Sequence, residues 1–143
     1  MLKIKTGTST NSQASMAGKE AAAQVKENLQ DMKMAFVYSG VQYDQKEMLD
    51  AVSEELPGVP LIGNTSFTGV ITQEGFVSSS DGFVGVMALS DPELKVSVAG
   101  MPKEGTARET GHKVAAEALR RSGKDKAPDF FYMSAPSGEE EYY

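Results

Sequence analysis

The sequence predicts an α/β domain with a mixed sheet: parallel crossover units in the amino-terminal half, antiparallel strands after residue 66, and helices packed on the sheet. Two observations predict it. From residue 2 to residue 62 the apolar pattern alternates between a two-residue and a helical period, in the order strand, helix, strand, helix, strand. Beyond Gly63 no helical pattern separates residues 67–72, 83–89 and 94–99, so these read as antiparallel strands joined by turns at 73–75, 78–82 and 90–93.

Leu2 and Ile4 alternate with Lys3 and Lys5, which suits an outer strand with one wet face. Residues 7–15 are a run of Gly, Ser, Thr, Asn and Gln that can satisfy turns and helix caps. A helix is expected over residues 15–31, with Ala17, Ala21, Ala22, Val25, Leu29 and Met32 on one face, the alanines allowing it to lie close on the sheet. Residues 34–39 form a nearly continuous apolar run, which predicts a central strand covered on both faces. Asp44 opens the next helix with Glu47 as capping-box partner, Met48, Leu49, Val52 and Leu56 forming its buried side and Pro57-Gly58 ending it. A short strand is expected at 59–62. Thr106 and Glu109 cap a further helix to about Arg121, with Ala107, Val114, Ala115, Ala118 and Leu119 inward, and Pro128 introduces a last strand at 130–133. Residues 134–138 read as another polar loop, and Glu139, Glu140 and Glu141 suit the first turn of a helix, as if the chain ended inside a longer fold.

The length of 143 residues fits one domain, 1–143, which can bury about 70% of its unfolded surface. With 14 basic against 20 acidic side chains, a net charge of -6, nucleic acid and anionic membranes are not expected as partners. Zero cysteines exclude disulfides, thiolate metal sites and a Cys nucleophile, and no run approaches the ~20 apolar residues of a membrane span, so a cytoplasmic location is expected.

If the first three strands are parallel, their carboxyl ends bring the loops 7–11, 39–44 and 63–66 to one sheet edge, where open α/β sheets bind ligands. The candidate ligand-binding residues are Ser9, Thr10, Asn11, Ser39, Asp44, Asn64, Thr65 and Ser66; the competing reading of each is turn and cap chemistry. The loops carry no Lys or Arg, while the first feeds a helix amino terminus able to hold a carboxylate, and Asp44 can meet an ammonium. The opening Gly7-Thr8-Ser9-Thr10 lacks the Gly-Lys-Ser/Thr of a Walker loop. Ser9, Ser39 and Ser66 have no base beside them in the sequence, since the only histidine, His112, lies about 100° from the centre of its helix's apolar face. No catalytic residue, metal or cofactor is expected.

Gly7-Thr8-Ser9-Thr10, Ala17-Gly18-Lys19-Glu20-Ala21-Ala22, Tyr43-Asp44 and, above all, the run from Pro57-Gly58-Val59-Pro60-Leu61-Ile62-Gly63-Asn64-Thr65-Ser66 to Gly69-Val70-Ile71 together resemble the amino-terminal half of a FIST sensory domain. The family pattern has a Gly-Ser/Thr opening, an Ala-Gly helix and an Ile-Gly-Cys-Ser-Ser segment leading to Gly-Glu-Ile. Asn64 stands where many members have Cys and Val70 where many have Glu, so roles of that thiol or carboxylate do not carry over. The resemblance implies a ligand-binding signalling module, with amino acids proposed as ligands and haem reported in some members. The expected function is therefore recognition of a small polar metabolite such as an amino acid, by a non-enzymatic domain that works with a signalling protein and self-associates. An interaction or assembly module without a small ligand is the alternative; a haem-based gas sensor or a hydrolase ranks below it.

Overall fold

In a computed structural model, which describes residues 1–135, the chain opens as β1 (Lys3–Ser9), α1 (Ala14–Asn28), β2 (Met34–Gly40), α2 (Gln45–Glu55) and β3 (Leu61–Ser66). A short hairpin follows, β4 (Val70–Thr72) and β5 (Gly75–Val77), and then β6 (Val84–Ser90) and α3 (Ala107–Ser122). By its internal contacts the chain divides into two compact units, Met1–Leu94 and a second that begins at Lys95. The architecture is the mixed α/β arrangement that the periodicity predicts.

In the first unit the four long strands lie in the order β1-β6-β2-β3. β2 and β3 pair in parallel, while β6 pairs antiparallel with both β1 and β2. β1, β2 and β3 therefore all run one way and end at one edge, although β6 separates the first two. One face of the sheet carries Val37 and Ala35 of β2 and Val84, Val86 and Ala88 of β6, all buried, under Ala17, Ala21, Ala22 and Val25 of α1. Met48, Val52 and Leu56 of the second helical segment complete this core. Fully burying a side chain the size of Val or Leu contributes roughly 1.5–3 kcal/mol, so the alternation along β2 and β6 and the small-residue stripe of α1 hold the layers together.

Several boundaries differ from expectation. α1 stops at Asn28, and Asp31, with φ of 53°, turns the chain toward β2. Leu49 is exposed instead of buried. The third strand lies at Leu61–Ser66 rather than 59–62, because the polar Asn64, Thr65 and Ser66 pair with β2 as an edge strand. On β1 the helix-covered side belongs to Gly7 and Ser9, which face Val86 and Val84, whereas Ile4 lies on the other face and is 47% exposed. The segment 67–72 does not form one strand; it bends after Ser66 and then pairs Val70–Thr72 with Gly75–Val77. This hairpin reaches the second face of the sheet, where the Thr6 hydroxyl donates to Gln73 Oε1 at 2.7 Å.

In the second unit α3 has the expected capping box: Glu109 N–H donates to Thr106 Oγ1, and Thr106 N–H donates to Glu109 Oε2. Its buried residues are Ala107 and Thr110, with Val114, Ala115 and Ala118 half-buried and Leu119 exposed. Residues 94–99 are not a strand. Ser97 Oγ donates to Ala118 O, and Arg121 donates to Val98 O, so this stretch satisfies its polar groups on α3 instead of in a ladder. Residues 130–133 are likewise outside any strand, with Phe130 and Phe131 exposed. The expected polar loop at 134–138 beyond residue 135, and the expected helix start at Glu139–Glu141, lie outside the described residues.

A test of the α1–α2 packing follows from Gly18. A Cβ there would lie 2.4 Å from the backbone oxygen of Met48. Alanine in a helix is favoured over glycine by about 1 kcal/mol. Forcing two backbones apart costs roughly 1–3 kcal/mol. We expect Gly18→Ala to lower the urea midpoint despite the propensity gain; a raised midpoint would show that the helices separate without penalty.

Candidate functional site

The register fixes the core of the site before any side chain is considered. Ser9 and Ser39 both pair with Val84, on its two sides, and Thr65 pairs with Ser39. Strands lie ~4.8 Å apart, which puts the backbones of Ser9 and Ser39 ~10 Å from each other across the end of β6. The expected convergence of the three loops is present, with the start of β6 between the first two.

Within this row the side chains are largely spoken for. Ser9 is buried, and its hydroxyl donates to Glu20 Oε2 on α1 at 2.6 Å. Asn11 donates from Nδ2 to the other oxygen of Glu20 at 2.9 Å, its backbone N–H donates to Ser9 Oγ, and its Oδ1 accepts from Gln13 N–H. Ser39 is only 1% exposed and donates to Gln45 Oε1 at 2.7 Å, while Gln45 Nε2 donates to the carbonyls of Gly40 and Tyr43. Asp44 accepts from Glu47 N–H at 3.0 Å and is the amino-terminal cap of α2. Ser66 donates to Gly69 O at 2.6 Å and shapes the bend after β3. Turn and cap chemistry thus accounts for Ser9, Asn11, Ser39, Asp44 and Ser66. Thr10, Asn64 and Thr65 are exposed at the same edge.

Sequence reasoning missed three residues that organise this edge. Glu20 gathers Ser9 and Asn11; its signal is a carboxylate set among the small buried residues Ala17, Gly18, Ala21 and Ala22. Gln45 braces the second loop. Tyr43, buried, donates its phenol to Asn11 O at 2.6 Å and so joins the first loop to the second. Gly82, with φ of 126°, lets the entry to β6 approach so closely that a Cβ there would sit 2.3 Å from the Tyr43 ring.

The electrostatics follow from these bonds. Hydrogen bonds from Ser9 and then Asn11 hold the Glu20 carboxyl below its ordinary range, against a smaller opposing effect of burial. Burial chiefly, and then the charges of Glu20 and Asp81, push the Tyr43 phenol up. Gln13, at the cap position before α1, makes no side-chain cap, and the first turn holds no acid, leaving the helix's amino-terminal N–H groups and partial positive charge at this edge. The arrangement can receive a carboxylate or another small acceptor. His112, the one histidine of the sequence, is exposed on α3. Among the described residues no three His, Asp or Glu side chains gather as metal ligands, and no helix is long and apolar enough to cross a membrane.

A mixed sheet whose co-directional strands end in a braced loop edge defines a mixed α/β domain. The FIST N domain family model matches residues 33–142, most of the chain, and the chain belongs to that family, a family of sensory domains. The match begins at the entry to β2, so the opening 7–10 and the Ala17–Ala22 stretch lie before it. No curated protein matches the chain.

The Glu20 bonds make a pH prediction. A carboxyl whose folded pKa is depressed stabilises the fold above its unfolded value of about 4.3, and that contribution is lost as pH falls through the lower folded value. Melting temperature should therefore drop below pH ~4.3 more steeply in the native protein than in Glu20→Gln. Parallel acid limbs in the two proteins would remove Glu20 as the cause.

Proposed function

We propose that this domain is a non-enzymatic sensory module that recognises a small polar metabolite, such as an amino acid, at the edge where β1, β2 and β3 end, and passes the event to a signalling partner. The observation that carries this reading is the uncapped amino terminus of α1 beside two loops braced through Glu20, Gln45 and Tyr43, with the end of β3 paired alongside the second. Such bracing prepares an edge for binding, because little chain entropy remains to be lost when the ligand arrives. The α1 N–H groups would take a carboxylate, with Thr10, Asn64 and Thr65 beside it; Asp44, exposed, would meet an ammonium.

Ser9 and Ser39 support a binding role over a hydrolytic one. The Ser9 hydroxyl faces a carboxylate whose depressed pKa makes it a poor base, and Ser39 donates to the uncharged amide of Gln45.

The test separates contact from support. Calorimetry against the amino acids and small carboxylates should find a ligand whose affinity falls about ten-fold in Thr10→Ala or Asn64→Ala, as expected for one lost hydrogen bond to a charged group. Ser9→Ala should mainly lower the melting temperature. A ligand indifferent to both Thr10 and Asn64 would place recognition elsewhere.

A second reading, assembly through an apolar surface, is favoured by one observation. Phe67, Ile71 and Phe76 on and before the β4–β5 hairpin are 87%, 84% and 62% exposed. Apolar side chains gathered on one short hairpin favour self-association. Sedimentation should show a concentration-dependent oligomer that Ile71→Lys dissolves; a monomer at all accessible concentrations removes this reading.

A further inference from the structure

Opposite the loops lies the other end of the sheet, where β1 and β2 begin and β6 ends. A concavity of about 470 Å³ opens there between the carboxyl end of α1 and the sheet. Its volume falls within the range of small-molecule sites. Its floor is set by strand register: Lys3 pairs with Ser90 on one side, and Lys33, whose N–H donates to Leu89 O at 2.8 Å, flanks Ser90 on the other. All three residues line the concavity.

Three groups on this floor are left open by the fold. Ser90 is 7% exposed, and its hydroxyl, which has no hydrogen-bond partner among the described residues, keeps access to the concavity instead of being buried unsatisfied. An accessible hydroxyl at the base of a concavity can donate to whatever enters. Lys3 and Lys33 have no ion-pair partner among the described residues, although Glu27 and Asp31 stand on the helix rim of the same concavity. The amino-terminal ammonium, by contrast, is already paired with Asp91 at 3.3 Å.

We propose that this concavity is a binding site for a small oxyanion, a carboxylate or a phosphate, held between the ammonium groups of Lys3 and Lys33 and receiving a hydrogen bond from Ser90 Oγ. Two strand spacings separate the lysine backbones by ~10 Å, a distance that two long flexible side chains can close around one anion. Glu27 and Asp31 set the size limit: a compact anion reaches the floor, whereas a polyanion meets their charge at the rim. The site is separate from the loop edge and does not rest on the reading proposed for it.

The test is a titration of nitrogen-15-labelled protein with sodium phosphate and, separately, sodium succinate at constant ionic strength. Saturable amide shifts at Gln30, Lys33 and Ser90 are expected, and the anion that binds more tightly identifies the oxyanion. Lys33→Gln and Lys3→Gln should each weaken binding about ten-fold, while Lys19→Gln and Thr10→Ala leave it unchanged. Ser90→Ala should weaken binding without lowering the melting temperature of the free protein, because it removes a hydroxyl that has no partner there. Non-saturating shifts with both anions, or equal affinity in the native protein and Lys33→Gln, would overturn the proposal.

Discussion

The phenol of Tyr43 donates to the carbonyl of Asn11 while its ring rests on Gly82, and the arrangement of the loop edge depends on that one placement. Asn11 belongs to the β1–α1 connection, Tyr43 to the β2–α2 connection and Gly82 to the entry of β6. Three segments distant in sequence thus meet on one side chain. Gln45 fixes Tyr43 from behind by donating to its carbonyl, and Glu20 fixes Asn11 from the other side. Burial pushes the phenol further up from a value already well above neutrality.

This placement is possible because β6 enters the sheet between β1 and β2. A purely consecutive parallel sheet would set the Ser9 and Ser39 strands side by side, ~4.8 Å apart. The intervening antiparallel strand doubles the separation and puts Val84 between the two serines. Both hydroxyls then face helices instead of each other, and each finds its partner there, Glu20 for Ser9 and Gln45 for Ser39. The edge gains width by losing the chance of direct contact between the two serine side chains.

The apolar periodicities of Ala17 to Val25, Met34 to Ser39 and Val84 to Ala88 made the core legible, because burial on one face leaves a repeat in the residue types themselves. The strand order was not legible, since pairing between residues 3–9 and 84–90 leaves no local trace. β3 was misplaced for a chemical reason: an edge strand needs only backbone pairing, so Asn64, Thr65 and Ser66 can form one despite their turn-like character. The opposite error at 94–99 has the same root, for alternating Val96 and Val98 can pack beside a helix as readily as in a ladder. At the loop edge, sequence identified which residues gather but not which are already bonded. A serine followed by polar neighbours looks the same whether it awaits a ligand or donates to a carboxylate eleven residues away, as Ser9 does to Glu20.

The two ends of α1 consequently work by different physics. Its amino terminus offers partial positive charge and unpaired N–H groups to an edge without a single Lys or Arg, so recognition there would rest on directional hydrogen bonds and be little affected by salt. Its carboxyl terminus offers partial negative charge, and Lys3 and Lys33 lie beside it without carboxylate partners among the described residues, so the dipole itself offsets part of their charge. Attraction of an anion to that floor would be a matter of net charge and would weaken as salt rises. Gly18 against Met48 and the alanine stripe against the sheet set α1 too closely to shift without repacking the core. A ligand at either end must therefore act first on its own loops, and only a change in those loops can be passed on.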